Sequence, residues 1–281
     1  MHMKYGDIVV YKNQIGTVVK SENDFKFHPC NYGSCYFSEL STITDKDVRE
    51  ATHEEKLLKT TAEINEEFNV NILTLISDLS KNDGAKAVYD YVISNNLNVS
   101  CFVNNAGFGD FGLFLDGDVE KFQKMIDLND KGLMTLAYYF GNYFKEKEFG
   151  HIVNIASIAG FMPGPYMAVY YASKAFVLNF SLALREELKP YNVKVTTICP
   201  GPIDTNFWNR ANVTMSNVKK KYFTRNVKQL ADSGMRKGDV GGGLCVDGIL
   251  YKSAAVATRF VPKEALASIV KLVNLKLGNK E

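Results

Sequence analysis

The alternation of short apolar runs with helical stretches constrains the fold of this chain more than any other feature. Helical stretches near residues 82–96, 118–146 and 166–189 separate runs that read as buried strands, at 71–77, 100–104, 151–155 and 193–199. Parallel strands need a crossover of this length between them, usually a helix. The pattern therefore predicts an α/β fold in which helices flank a parallel sheet. Nearer the C-terminus, the sequence predicts a further strand at 256–261 and an amphipathic helix from Lys263.

The first fifty residues follow a different pattern. Short β-rich runs at 7–11, 15–19 and 34–37 are separated by Gly and Asn turns, which predicts a small β-barrel-like domain over residues 1–50 before an α/β domain over residues 51–281. The motif GDIVVY followed by IGTVV is similar to SH3-like barrels, some of which bind nucleic acid. However, residues 1–50 contain six basic and seven acidic side chains, whereas a domain that binds nucleic acid is normally basic. We therefore expect no nucleic acid partner. His28, Cys30 and Cys35 lack a second ligand pair and are interpreted as loop residues, not as a metal site.

Composition nominates no charged partner for the whole chain. With 33 basic and 31 acidic side chains, it offers no global field that would attract nucleic acid or an anionic membrane. The first residues lack a secretory pattern, and no apolar run approaches the roughly 20 residues that span a bilayer. Five scattered cysteines do not form a disulfide framework. We therefore expect a cytoplasmic protein.

Tyr170 and Lys174 stand four residues apart in a helical stretch, so their side chains share one face. An ammonium about 4 Å from a phenol is worth roughly 4 kcal/mol at a dielectric of 20, enough to lower a tyrosine pKa by about three units. Such a tyrosine can move protons near neutral pH. On its own this spacing is common on solvated helix faces and is weak support for a catalytic pair.

Five further motifs accompany this pair. Ser157 lies in NIASIAG after one strand candidate, NNAG at 104–107 closes another, and PGPIDT at 200–205 follows a third. Asp78 lies in ISDLS after the first strand, and Asn129 lies in IDLNDKG on the long helix. Ligands of parallel sheets bind beyond the carboxyl ends of the strands, which is where most of these motifs fall.

In this order and spacing, the motifs resemble the classical short-chain dehydrogenase/reductase family over residues from about 55 to 281. The resemblance implies a truncated Rossmann-like sheet and a Ser-Tyr-Lys site. Tyr170 would exchange a proton with the substrate oxygen, Ser157 would bind that oxygen, Lys174 would lower the pKa of Tyr170 and hold the nicotinamide ribose, and Asn129 would fix a relay water. The cofactor, NADP or NAD, would contact Asp78, Asn104, Ala106, Gly107, Lys174, Pro200, Gly201 and Thr205. The family also implies a homodimer or homotetramer, paired through the helices that hold Asn129 and Tyr170.

The chain departs from the family at its beginning. The family opens with a strand, a TGxxxGxG turn and a helix, and no segment here matches them. Losing two or three charge-assisted bonds to the pyrophosphate would weaken cofactor binding by about 3 to 9 kcal/mol. Two strands would also lose neighbours. The simplest expected repair is direct pairing of 71–77 with 100–104, and the alternative is that an N-terminal β run inserts as a substitute strand.

These observations favour an oxidoreductase that transfers hydride between NADP(H) or NAD(H) and an apolar carbonyl or alcohol. A group of apolar side chains flanks the motifs and would wall such a pocket, although core packing explains them equally well: Phe108, Phe111, Phe161, Met162, Phe207 and Trp208. The main alternative is a remnant with defective cofactor binding, fused to a barrel and acting as a non-enzymatic scaffold or oligomerisation protein. A third alternative is a chain that joins two unrelated genes.

Overall fold

The computed structural model describes residues 6–11, 15–20, 61, 64, 71–203, 207–211 and 227–278. The strands in these residues are β1 Gly6–Tyr11, β2 Ile15–Lys20, β3 Asn71–Ile76, β4 Cys101–Asn104, β5 Gly150–Ile155, β6 Val193–Cys199 and β7 Gly243–Val246. They form one sheet in the order β3-β2-β1-β4-β5-β6-β7. β2 is antiparallel to both of its neighbours, and β1, β4, β5, β6 and β7 pair in parallel. The predicted Rossmann-like α/β architecture is therefore confirmed.

Helices cover both faces of this sheet. They are α1 Gly84–Ser94, α2 Val119–Ile126, α3 Leu133–Lys147, α4 Ala168–Leu188, α5 Phe207–Arg210, α6 Val227–Asp239, α7 Ile249–Ala257 and α8 Lys263–Gly278. α1, α3 and α4 match the predicted helical stretches. None of the described helices is long and apolar enough to cross a membrane.

Alternating side chains of the central strands fill two separate cores. Phe102 of β4 points to the face covered by α1 and α3, where its ring stacks on Phe140 at a centroid distance of 4.2 Å. Val103, the next residue, points to the opposite face and packs with Leu230 of α6. All four residues of β4 are buried, as expected for a strand covered on both faces.

The predicted N-terminal barrel is not supported. β1 and β2, which correspond to the predicted runs at 7–11 and 15–19, belong to the large sheet, while the run at 34–37 and the residues His28, Cys30 and Cys35 lie outside the described residues. β1 pairs in parallel with β4, and β2 lies between β1 and β3. The expected direct pairing of 71–77 with 100–104 is therefore wrong, and the substitute-strand alternative is confirmed. Inserted strands give the backbone groups of β3 and β4 the partners that direct pairing was meant to supply.

One further prediction fails near the C-terminus. A strand was expected at 256–261, but helix α7 continues to Ala257 and a turn follows. The last strand is β7, directly after the glycine run at 241–243, and it pairs with β6. The amphipathic helix expected from Lys263 is confirmed as α8.

The parallel strands place the sequence motifs along one edge. β4, β5 and β6 run in the same direction, so their carboxyl ends lie side by side. The chain leaves β4 at Asn105, β5 at Ala156 and β6 at Pro200. The next strand in the sheet, β1, is parallel to β4, so its carboxyl end lies at the same edge. Open α/β sheets bind ligands beyond the carboxyl ends of their parallel strands.

Candidate active site

Ser157 and Tyr170 line the same cavity above the end of β5. Ser157 lies two residues beyond the strand and caps the short helix Ile158–Phe161, where its Oγ accepts a hydrogen bond from the Ala159 amide at 3.1 Å. The half-buried Tyr170 lies in the first turn of α4, and the Ser157 side chain lies close enough to lower the pKa of its hydroxyl in part. The strand end and the helix start thus bring together two of the predicted residues.

Lys174 lies one turn further along α4 and is buried, with 6% of its surface exposed. Its Nζ donates a hydrogen bond to the Ile155 carbonyl at 2.9 Å and lies 5.9 Å from the centroid of the Tyr170 ring. Burial lowers the pKa of Lys174 from 10.5 to about 8, although the nearby carboxylate of Asp130 raises it in part. The ammonium form is therefore costly to maintain in this position.

The pKa of Tyr170 moves in the direction opposite to our expectation. Burial raises it above its ordinary value of 10.0, and the nearby Ser157 side chain only partly offsets this effect. An ammonium about 4 Å from the phenol would lower the pKa of Tyr170, whereas Lys174 Nζ lies 5.9 Å from the ring centroid and donates to the Ile155 carbonyl. Near neutral pH, Tyr170 is accordingly a neutral phenol, which can donate a proton.

Asn129 holds the loop after β4 against α4. It is fully buried in a π-helical segment, Asp127–Gly132, that interrupts the long helix predicted at 118–146. Its side-chain amide accepts from the Phe108 amide at 3.0 Å, donates to the Phe108 carbonyl at 2.9 Å and donates to Ser173 Oγ at 3.1 Å. π segments often occur at functional sites because they disrupt the regular backbone ladder.

Asp130, which sequence reasoning missed, is the anionic neighbour of Lys174. Its Oδ1 is buried and has no hydrogen-bond partner among the described residues. Burial raises the pKa of Asp130 from 3.8 to about 7, and Lys174 lowers it in part. An acidic residue inside the apolar face of a helix was the sequence signal that could have revealed this position.

Asp130→Asn is expected to remove a pH-dependent loss of stability. Because the pKa of the folded state lies above that of the unfolded state, the wild type loses stability from this group as pH rises from about 4 to about 7. Asn stays neutral, so the variant should be more stable than the wild type at pH 8. This difference in the free energy of unfolding should be smaller near pH 4. Urea unfolding at both pH values measures the difference, with Asp83→Asn at an exposed position as the control. Parallel pH profiles for all three proteins would contradict the assignment.

The residues predicted to bind cofactor divide into two groups. Gly107, Pro200 and Gly201 line a cavity together with Ser157, Tyr170 and Lys174. Gly107 has no room for a side chain, because a Cβ there would lie 2.9 Å from Asn129 Oδ1 and 3.5 Å from Lys174 Nζ. The Asn129 and Lys174 side chains fill the space that a Cβ would need, so a glycine at this position lets both keep their places.

The other described residues of the set do not line this cavity. Asn104 points inward, where its Nδ2 donates to the Leu133 carbonyl at 3.3 Å and to Asn154 Oδ1 at 3.0 Å. Ala106 packs against the core. Asp78 follows β3 and accepts hydrogen bonds from the Ser80 amide at 3.1 Å and the Ser80 hydroxyl at 2.6 Å. Thr205 lies outside the described residues.

The cavity has a volume of about 890 Å³ and a predominantly apolar lining. Of the apolar residues singled out in the sequence, Phe108, Met162, Phe207 and Trp208 line it, whereas Phe111 packs with Met167 and Trp208, and Phe161 packs in another core cluster. Its far wall comes from α6, α7 and α8, through residues that sequence reasoning missed, including Leu230, Tyr251, Leu266 and Val270. The site is therefore a polar cluster at one end of a large apolar chamber.

Asn274 ties the C-terminal helix to this chamber. It is 1% exposed, its Oδ1 accepts from the Tyr171 hydroxyl at 3.2 Å, and its Nδ2 donates to the Pro165 carbonyl at 2.8 Å. Val270 and Leu266 are buried one and two turns before it, so Asn274 continues their stripe. A polar residue in that apolar stripe was the available signal.

The fold and this cleft are those of a Rossmann-like α/β protein with its ligand site at the strand ends. A model of the short chain dehydrogenase family matches residues 45–216, more than half of the chain. The chain therefore belongs to this oxidoreductase family, as the sequence motifs predicted.

Individual relatives agree with the family. A probable oxidoreductase, EphD, of Mycobacterium tuberculosis is 32% identical over 203 residues, which are 72% of this chain and 32% of that protein. An uncharacterized oxidoreductase of Staphylococcus epidermidis is 33% identical over 143 residues, 51% of this chain and 62% of that one. The matched part of the chain thus spans about a third of the length of EphD and under two thirds of the length of the Staphylococcus protein. Among solved structures, a short-chain dehydrogenase from Sphingobium yanoikuyae in complex with NADPH has a TM-score of 0.65 at 27% identity, covering 75% of this chain and 82% of that chain.

Proposed function

We propose that this chain reduces an apolar ketone or aldehyde with NADPH or NADH, and that Ser157, Tyr170 and Lys174 form its catalytic site. The observation that carries the proposal is that Ser157, Tyr170 and Lys174 line the polar end of one apolar cavity, with Lys174 Nζ 5.9 Å from the centroid of the Tyr170 ring. The structurally similar Sphingobium protein was solved with NADPH, which supports a nicotinamide cofactor for this chain.

The residues around Lys174 fit the nicotinamide end of such a cofactor. An ammonium has three donors, and one of them is directed at the Ile155 carbonyl. Lys174 also lines the cavity together with Gly107. We propose that the other donors bind the ribose hydroxyls and that Asn105 and Gly107 contact the same half of the cofactor. When bound, the cofactor would supply a hydride to the substrate carbon.

The pyrophosphate end fits less well. β1 ends at Tyr11 and β2 begins at Ile15, so three residues connect them. Three residues are too few for a glycine-rich turn and a helix, whose N-terminal amides would bind phosphate. We therefore propose weakened binding, with Asp78, Asn104, Ala106, Pro200, Gly201 and Thr205 kept as the proposed outer contacts.

The protonation state of Tyr170 favours reduction over oxidation. Because its pKa is raised, the phenol keeps its proton near neutral pH. It can donate that proton to the oxygen of a carbonyl group whose carbon receives the hydride. Ser157 would bind that oxygen through its hydroxyl. Lys174, with a pKa of about 8, can return a proton to Tyr170 after the reaction, and Asn129 would hold the loop that encloses this path.

The proposal is tested by following NADPH and NADH consumption with a series of alkyl and cyclic ketones of increasing size. We expect kcat/KM to rise with the apolar surface area of the ketone. Burial of that surface in the 890 Å³ apolar cavity contributes about 25 cal/mol per Å². Small polar aldehydes serve as the control. Equal kcat/KM across the series, or consumption only with polar substrates, would contradict the apolar substrate.

The short β1–β2 connection is also the observation that favours the alternative function, a scaffold without cofactor. We propose in either case a homodimer or homotetramer, paired through the helices that hold Asn129 and Tyr170, as the family resemblance implies. Met134, Tyr138 and Phe176 on these helices are 42%, 68% and 40% exposed, which supports a partner at this face. Exchanging Tyr138 for Ser should dissociate the dimer in sedimentation experiments.

A further inference from the structure

The two C-terminal helices carry a dense group of exposed apolar side chains. Ile249 at the start of α7 is 87% exposed, and Phe260 in the turn after it is 81% exposed. Leu250, Val256, Ile269, Leu272 and Val273 are each at least half exposed. Exposed apolar patches of this kind mark interaction surfaces. We call the outward surface of residues 249–276 the C-terminal face.

This face is continuous with the wall of the proposed substrate cavity. Leu250, Ile269 and Val273 line the cavity and are also 67%, 53% and 50% exposed. The same side chains therefore belong to the interior wall and to the outer surface. An apolar molecule on the outside can reach the chamber along a continuous apolar path between α7 and α8.

The charge of the C-terminal face is strongly positive. Residues 249–276 contain a single acidic side chain, Glu264, and five basic ones: Lys252, Arg259, Lys263, Lys271 and Lys276. A second exposed apolar group, Leu113–Leu115 with Val119, has the opposite surroundings, because Asp116, Asp118 and Glu120 lie among its residues. Basic residues around apolar side chains on a helix are typical of helices that lie in a lipid interface.

We propose that the C-terminal face docks on an anionic lipid surface and that the cavity takes its substrate from that surface. A second copy of the chain is a poor occupant, because a symmetric interface would place the same basic residues against each other. Anionic headgroups instead neutralise them, while the exposed apolar side chains enter the acyl boundary. The docking stands on the described helices alone, and only the route of the substrate rests on the proposed function.

Flotation of the full-length protein with lipid vesicles tests the docking without cofactor or substrate. We expect binding to vesicles that contain phosphatidylglycerol and little binding to pure phosphatidylcholine. Lys252→Glu with Lys271→Glu should lower the partition coefficient at least thirtyfold, since each basic side chain contributes about 1 kcal/mol. Ile249→Ser with Phe260→Ser should lower it about tenfold or more. Leu115→Ser, at a position 90% exposed, is the matched control and should bind as the wild type does.

Two outcomes would overturn the proposal. One is equal flotation with neutral and anionic vesicles, or none with either. The other is that the Ile249→Ser, Phe260→Ser protein dissociates an oligomer in sedimentation while vesicle binding is absent, which would assign the face to a second copy. Tyr170→Phe keeps the C-terminal face intact, so it should float as the wild type does even when turnover is lost. Failure of the docking and failure of the enzymatic proposal are thereby distinguished.

Discussion

Tyr170→Phe is expected to lower kcat for ketone reduction by about three orders of magnitude, within the range that a positioned general acid contributes. The substitution removes only the hydroxyl beside Ser157, while the ring keeps its packing against Phe207 at a centroid distance of 5.1 Å. Stability and cofactor binding should change little. Steady-state kinetics and urea unfolding measure the two effects separately.

Tyr171→Phe is the matched control, because it removes one hydroxyl from the next residue of the same helix. That hydroxyl bonds Asn274, so its loss should affect the wall of the cavity and KM more than kcat. If both variants lose kcat equally, Tyr170 has no special role in proton transfer. If Tyr170→Phe keeps full turnover, the proposed chemistry is wrong.

Lys174→Met is expected to abolish turnover and to stabilise the fold. The pKa depressed from 10.5 to about 8 corresponds to a cost of about 3 kcal/mol for the buried ammonium. The Ile155 carbonyl loses its donor in the variant, which costs about 1 kcal/mol. The free energy of unfolding near neutral pH should therefore rise by about 2 kcal/mol.

The pH dependence identifies the cause of this stabilisation. The wild type bears the full cost of the ammonium below about pH 8, and the cost disappears as pH rises from 8 to 10.5. The advantage of the variant should accordingly narrow across that interval in urea unfolding. Lys131→Met, at an exposed position, should change stability by less than about 0.5 kcal/mol. A destabilised Lys174→Met protein would show that the ammonium has partners which offset its burial.

Local patterns in the sequence predicted the fold wherever one element determines its own structure. The strands β3 to β6 and the helices α1 and α4 follow from apolar runs and helical spacing. The pairing of β1 and β2 did not follow, because turn residues and β-rich runs are the same in a barrel and in a hairpin that joins a larger sheet. The prediction of a strand at 256–261 was wrong because Val, Ala and Thr are compatible with both helix and strand. Packing of Ala255 in the core stabilises the helix.

The candidate site divides in the same way. Ser157, Tyr170, Lys174 and Gly107 follow strand ends or share a helix face, so spacing along the chain was sufficient to predict that they meet. The far wall comes from α6, α7 and α8, which approach the site only through tertiary packing. Asn274, more than a hundred residues from Tyr171, has no local motif. The raised pKa of Tyr170 and the role of Asp130 depend on burial, which spacing does not determine.

The affinity for nicotinamide cofactor tests the central claim most directly. Calorimetric titration of the purified protein with NADPH and with NADH should give saturable binding to at least one of them, with a Kd below about 1 mM and weakened by the missing phosphate contacts. Lys174→Met should bind more weakly, whereas Lys131→Met should bind as the wild type does. Absence of binding by either cofactor at millimolar concentration, in a folded protein, would contradict an oxidoreductase function and favour the scaffold.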